Sequence, residues 1–157
     1  MVDKHFFKQT KLFGELKSRE WEELHKIATE KKFKEGDIIF PQGDKSTDLY
    51  IAVKGEVEIQ ITIAPQLADI TVYMVRPHEV FGEFAFVDPE PRSATARCKT
   101  DVALVMIKKD DFDELIKKFP AIGVLFYKNL GKILCIRLRR MNKYLRDIFL
   151  RSLGLEV

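Results

Sequence analysis

The chain reads as an α+β protein: a helical start, a middle zone of short strands and a helical finish. Apolar residues recur at helical spacing at both ends, while over residues 37–108 the period drops from 3.6 to 2. Turn-forming residues interrupt that middle zone every few positions, the pattern of a sandwich or a barrel.

At the N-terminal end Leu12, Phe13 and Leu16, then Trp21, Leu24, Ile27 and Ala28 recur at helical spacing. Ser18 stands where an N-cap belongs, ahead of Glu20, Glu22 and Glu23, and the helical segment runs to Lys34-Glu35-Gly36. In the middle zone Val57, Ile59, Ile61 and Ile63 alternate with Glu56, Glu58, Gln60 and Thr62, which predicts a strand with one buried and one wet face. Ile70, Val72 and Met74 alternate again, and residues 102–107 are apolar on both faces, as suits a strand covered on both sides. Turns fall at Pro41-Gln42-Gly43-Asp44, Lys54-Gly55, Ala64-Pro65, Arg76-Pro77 and Asp88-Pro89-Glu90-Pro91. In the last zone Asp110 and Asp111 are placed to cap a helix, with Glu114 reaching back and Phe112, Leu115, Ile116 and Phe119 as its apolar stripe. Pro120 ends or kinks that helix, and a longer one follows over residues 121–152.

At 157 residues the chain is one domain. No apolar run approaches 18 residues and the N-terminal stretch has no signal-peptide core, so neither a membrane span nor export is expected. Cys98 and Cys135 lack metal-type spacing and are expected to stay reduced, which points to the cytoplasm. His5, His25 and His78 are scattered without ligand spacing, and no nucleophile–base arrangement stands out. Neither a metal, a haem nor catalysis is expected. The net charge of +3 is uneven: from Lys128 onward eight Lys/Arg face two acids. A basic tail of this kind attracts nucleic acid, anionic lipid or an acidic partner, although a solvated helix face is the more ordinary reading.

One stretch carries chemistry, residues 81–95, FGEFAFVDPEPRSAT. Gly82 permits close backbone approach, Glu83 offers a carboxylate to sugar hydroxyls, and residues 84–87 suit a single helical turn whose N–H groups point at an anion. Arg92 is a fork-shaped cation for phosphate, Ser93 adds a hydroxyl and Ala94 is small. Together they describe a pocket for a nucleoside monophosphate.

These residues resemble the phosphate-binding cassette of the cyclic-nucleotide-binding domains found in catabolite activator protein, cyclic-nucleotide-dependent kinases and cyclic-nucleotide-gated channels. The family pattern F-G-E-L-A, a loop, then P-R-x-A-T, reads here as Phe81-Gly82-Glu83-Phe84-Ala85 and Pro91-Arg92-Ser93-Ala94-Thr95. Gly43 and Gly55 match the family's paired glycine turns. The resemblance implies an eight-stranded antiparallel β-barrel, a double-stranded β-helix or jelly roll, flanked by an N-terminal helix and C-terminal helices. It implies cAMP or cGMP as ligand and no other cofactor. Glu83 is then the acceptor for the ribose 2′-hydroxyl and Arg92 the cyclic-phosphate ligand. Gly82, Phe84 and Ala85 supply backbone contacts, Ser93 bonds the phosphate or base, and Ala94 completes the cassette. The bland alternative has Glu83 paired with Arg92 in a dead pocket.

The sequence departs from the family at His78, which stands where a turn glycine is usual and is expected to reshape the hairpin. Asp88 and Glu90 add two acids near the phosphate site. On the long helix, Tyr127, Gly131, Leu134, Leu138, Met141, Leu145 and Ile148 form a heptad seam, and Ile122, Phe126, Leu130 and Ile133 a second stripe facing the sheets. By the resemblance the seam pairs two subunits; the alternative is a fold-back of residues 149–155 over it. Residues 1–120 are thus expected to form the binding unit and 121–157 its lid and dimerisation helix, with residues 134–140 as the lid and Phe84 and Phe86 touching the helix of Leu115 and Phe119. No helix-turn-helix is expected after the basic run, so DNA binding by this chain alone is not. The reading is a sensor that relays cyclic-nucleotide binding to a partner; a basic-helix nucleic-acid protein and a scaffold with a vestigial pocket are the rivals.

Overall fold

The computed structural model describes residues 5–64 and 66–155. Pro65 of the Ala64-Pro65 turn and the two ends of the chain lie outside the described residues. The element order is α1 (Ser18–Ile27), β1 (Ala28–Phe33), β2 (Ile38–Phe40), β3 (Leu49–Lys54), β4 (Val57–Ile61), β5 (Ile70–Val75), β6 (Val80–Phe81), α2 (Glu83–Val87), β7 (Thr95–Cys98), β8 (Val102–Ile107), α3 (Lys109–Lys118) and α4 (Pro120–Ser152).

The strands form two four-stranded antiparallel sheets, β1-β8-β3-β6 and β2-β7-β4-β5. This corrects the expectation of a closed eight-stranded barrel: the sheets pack face to face and are not joined by hydrogen-bonded ladders at their edges. The edge strands β2 and β6 are only three and two residues long. Beyond them the backbone turns into loops, where its groups find partners such as Asp44 O for Arg92 N–H and Arg92 O for Gly43 N–H.

Alternation along β3 and β8 explains the layering. Tyr50, Ala52, Leu104 and Met106 enter an inter-sheet core with Phe40, Val57, Val75 and Phe81, whereas Leu49, Ile51, Val105 and Ile107 point the other way. That second face is covered by α1, α3 and the start of α4, so β8 is apolar on both sides for the reason its sequence indicated. Phe86, Phe112 and Phe126 meet there with ring centroids 4.7–5.5 Å apart.

Three local expectations are corrected. Residues 28–33 are strand, not helix. Their middle four side chains are exposed, but the whole segment pairs with β8, from Ala28 opposite Ile107 to Phe33 opposite Val102, and that long-range ladder outweighs local periodicity. The N-cap of α1 is Lys17, whose N–H donates to Glu20 Oε2 at 2.8 Å, so Ser18 is already helical. Asp110 and Asp111 sit inside the first turn of α3 after the cap at Lys108, and Glu114 pairs with Lys117 instead of reaching back.

Pro120 occupies the first turn of α4, where its missing N–H costs nothing. The helix then runs unbroken for 33 residues. Its last turns do not fold back over the seam: Phe149, Leu153 and Leu155 are all exposed. No helix among the described residues is long and apolar enough to cross a membrane.

Candidate functional site

The short strand β6 delivers residues 81–85 to the inter-sheet cavity. Phe81 anchors it, its ring 5.3 Å from Tyr50 and 6.1 Å from Phe40. Gly82 follows with φ 75° as the N-cap of α2. A Cβ there would lie 2.8 Å from Arg92 Nη1 and 3.1 Å from Asp48 O, so both backbone conformation and space demand glycine. The predicted single helical turn is α2, and Glu83 is its first residue, only 5% exposed.

Glu83 does not pair with Arg92. Its Oε1 accepts from Arg137 Nη1, on α4, at 2.5 Å, and Arg137 Nη2 donates to Val80 O at 2.5 Å. The Arg137 guanidinium lies 4.8 Å from the centre of the Tyr73 ring. Tyr73 in turn donates its hydroxyl to Glu79 Oε1, and burial, aided by that carboxylate, pushes its phenol above its ordinary range. Glu83 Oε2 takes no protein hydrogen bond among the described residues.

Arg92 is 3% exposed and lies over the Phe40 ring at 4.1 Å. Nε donates to Ser46 Oγ at 3.2 Å, Nη1 to Gly82 O at 2.8 Å and Nη2 to Asp48 O at 2.8 Å. A guanidinium has five N–H donors, so one on each terminal nitrogen remains unspent by protein. Burial draws the guanidinium below its ordinary value, opposed by Tyr50 and by the nearby carboxylates Asp48 and Asp44. Ser46 passes the connection on, donating to Asp44 Oδ2 at 2.6 Å, the bond chiefly responsible for holding that carboxyl below its usual range.

Gly82, Glu83, Phe84, Ala85, Arg92, Ser93 and Ala94 all line one cavity of about 650 Å³, so the residues expected to contact the ligand lie together. Ile59 and Ile61 belong to its apolar wall, the inward face that the alternation of β4 predicts. On β5 the expected face is corrected: Tyr73 stands opposite Ile59 and Val75 opposite Val57, whereas Met74 stands opposite Glu58, so Tyr73 and Val75 point inward and not Ile70, Val72 and Met74 together. Asp88 and Glu90 are exposed and do not line it. Phe84 is 52% exposed and touches the cavity, not α3; Phe86 alone of the two packs on α3 and α4. His78 does not reshape the hairpin: it adopts φ 71° itself and its N–H donates to Ala52 O at 2.7 Å.

Sequence reasoning placed residues 134–140 over the pocket but missed the Arg137–Glu83 pair, and missed Tyr144 and Tyr73 as wall residues. A signal was available. Counting from Ile122, Phe126, Leu130 and Ile133, the core-facing stripe of α4 continues at Arg137, and a cation on an apolar stripe needs a partner.

A family profile described as "Cyclic nucleotide-binding domain" matches residues 30–119. A CRP-like cAMP-activated global transcriptional regulator of Mycobacterium tuberculosis is 32% identical over 116 residues, 74% of this chain and 50% of that protein. The cyclic AMP receptor protein of Thermus thermophilus is 32% identical over 108 residues, 68% of this chain and 47% of that protein. The crystal structure of the Thermus thermophilus catabolite activator protein superposes with a TM-score of 0.75 at 29% identity, over 88% of this chain and 63% of that one. The chain spans about half the length of these curated relatives. The matched profile stops before Arg137, Arg140 and Tyr144, so the α4 wall of the cavity lies outside it.

Proposed function

Because the chain belongs to the cyclic nucleotide-binding domain family, we propose that its cavity takes cAMP or cGMP and that occupancy is relayed through the C-terminal helices to a partner. The module is regulatory and not catalytic. Glu83 Oε2 accepts the ribose 2′-hydroxyl, while Oε1 stays with Arg137. Arg92 grips the cyclic phosphate with its two unspent N–H groups, a charge-assisted and bidentate contact. The backbone of Gly82, Phe84 and Ala85 and the hydroxyl of Ser93 complete the phosphate site, and Ala94 leaves room for it. The ligand needs no further cofactor.

The observation that carries this reading is Arg92, a nearly fully buried cation at a cavity wall with donors to spare. A buried charge held by neutral carbonyls and a hydroxyl, without a directly bonded carboxylate, is matched by an anion. Calorimetric titration with cAMP and with cGMP tests it; saturable binding of either supports the sensor, and binding of neither leaves a scaffold with a vestigial pocket.

Residues 1–120 form the binding unit in this reading, and residues 121–157 act as lid and dimerisation helix. Arg137 is what ties the lid to the ligand's own acid. Of the heptad seam, Leu134 packs on the core, whereas Tyr127, Leu138, Met141, Leu145 and Ile148 are exposed, a face that a second copy of α4 covers in a homodimer. Two free cysteines fit a cytoplasmic location. Hydrogen exchange tests the relay: saturating nucleotide changes protection over residues 116–136, and a change confined to residues 82–95 shows binding without transmission.

A further inference from the structure

A second cavity, of about 250 Å³, lies on the other side of Arg137, between the N-terminal segment, the turn joining β5 to β6, and α4. Its floor is apolar, with Leu12 and Val80, and its rim carries Lys11, Arg76, Arg137 and Arg140. Arg137 is paired with Glu83, but the other three cations are poorly compensated. Lys11 and Arg140 have no hydrogen bond or ion pair among the described residues, and Arg76 has only a loose contact with Glu56 at 3.7 Å. The one acid in the wall, Glu79, takes its hydrogen bonds from neutral donors: Oε1 accepts from the Tyr73 hydroxyl at 3.0 Å and Oε2 from the Arg76 backbone N–H at 2.9 Å. The wall thus sets one carboxylate against Lys11, Arg76 and Arg140, and a recess of net positive charge over apolar walls concentrates anions.

His78 belongs to the same wall and adds an independent oddity. It holds φ 71°, a left-handed conformation that favours glycine, and its buried Nδ1 has no hydrogen-bond partner. The turn accounts for the φ, whereas an unsatisfied ring nitrogen in a cavity-lining residue is what a ligand contact would account for.

We infer that this cavity is a second binding site, for a small molecule bearing a polyvalent phosphate group, held by Lys11, Arg76 and Arg140 behind the Arg137–Glu83 pair. Arginine forks suit phosphate oxygens, Lys11 adds a point charge, and several cations favour a di- or triphosphate over a monoanion. Arg137 and Arg140 wall both cavities, so an anion here alters the field around Glu83.

The test uses inorganic pyrophosphate at constant ionic strength, with chloride as the balancing ion, and follows the ring resonances of His5, His25 and His78 together with the Arg137 Nε–H signal. The expected result is saturable binding that moves His78 and Arg137 and leaves His25 still. Affinity should fall tenfold or more in Lys11→Gln/Arg76→Gln, neither of which lines the first cavity, and persist in Arg92→Lys. No saturable binding, or an affinity unchanged in the double variant, overturns the site. Pyrophosphate binding without cyclic-nucleotide binding would count against the cassette reading alone, and the converse against this one alone.

Discussion

Arg137 and Glu83 stand 54 positions apart in the chain and meet at 2.5 Å, joining the middle of the long C-terminal helix to the first residue of the cassette helix. Glu83 keeps 6% of its side chain exposed and Arg137 20%, so the carboxylate is the partner that suffers when the pair is broken. Arg137→Gln should destabilise the fold by about 1–3 kcal/mol, less than for a fully buried pair because Arg137 is partly solvated. Denaturant unfolding of both single variants and of Glu83→Gln/Arg137→Gln checks it. The double variant should recover part of the loss, and additive effects would show that the two residues do not couple.

Arg92 has a structural duty beside its proposed ligand duty. Replacing it with Lys removes the fork that reaches Gly82 O, Asp48 O and Ser46 Oγ together. Nucleotide affinity should fall by about 2–5 kcal/mol, tens-fold or more, while stability falls by about 1–3 kcal/mol because buried carbonyls lose a donor. Calorimetry and thermal unfolding on the same sample separate the two. Unaltered affinity would remove Arg92 from the phosphate site.

Gly82 and Gly43 share a positive φ but differ in their neighbours. A methyl at Gly43 meets nothing within 4 Å, whereas one at Gly82 meets Arg92 and Asp48 O. Gly43→Ala should therefore cost about 1–2 kcal/mol of backbone strain alone. Gly82→Ala should cost more and also displace Arg92, lowering nucleotide affinity. Equal losses of stability and affinity in the two variants would contradict this.

These contrasts show what was legible in the sequence. Cassette residues lie close together in the chain, and their turn chemistry is local, so Gly82, Glu83 and Arg92 announced themselves. The strand at residues 28–33 did not, because its four middle side chains are exposed and only its ladder to β8 makes it a strand. Closure of the sheets into a barrel was misread for a related reason: edge pairing depends on the backbone beyond β2 and β6, which no side-chain pattern encodes. The Arg137–Glu83 contact needed the rotation of α4 relative to the sheets. Its trace in the sequence was a single cation on an apolar stripe.

Leu138 is 62% exposed, so a charge there costs the monomer little. In the proposed dimer the same charge would be buried in the seam. Leu138→Glu should convert dimers to monomers in light scattering with nucleotide binding largely retained. A wild-type chain that is monomeric at high concentration would eliminate the seam as a self-association surface.

The two thiols should behave oppositely. Cys98 is buried and burial pushes its thiol up to about 11, whereas Cys135 is exposed. A disulfide reagent at pH 8 should label one thiol per native chain, Cys135, and two after unfolding. The folded state keeps the Cys98 proton where the unfolded chain releases it, near the ordinary value of 9.0. This contribution to stability is therefore intact below pH 9 and declines as pH rises toward 11, by up to about 2–3 kcal/mol. Cys98→Ala should flatten that part of the alkaline decline.

All the buried residues of α4 lie between Ile122 and Leu130, in its first turns after Phe119, and Arg137 makes the last side-chain hydrogen bond from the helix to the sheets. With residues up to Leu130 held in the core, the pivot of the proposed relay falls near Leu130; at 1.5 Å per residue Arg137 lies roughly 10 Å beyond it and Ser152 roughly 33 Å. In that relay a 1 Å shift at Arg137, following a change of partner at Glu83, would become about 3 Å at Ser152. The rod would then act as a mechanical amplifier, and a partner gripping its distal third would receive the motion enlarged.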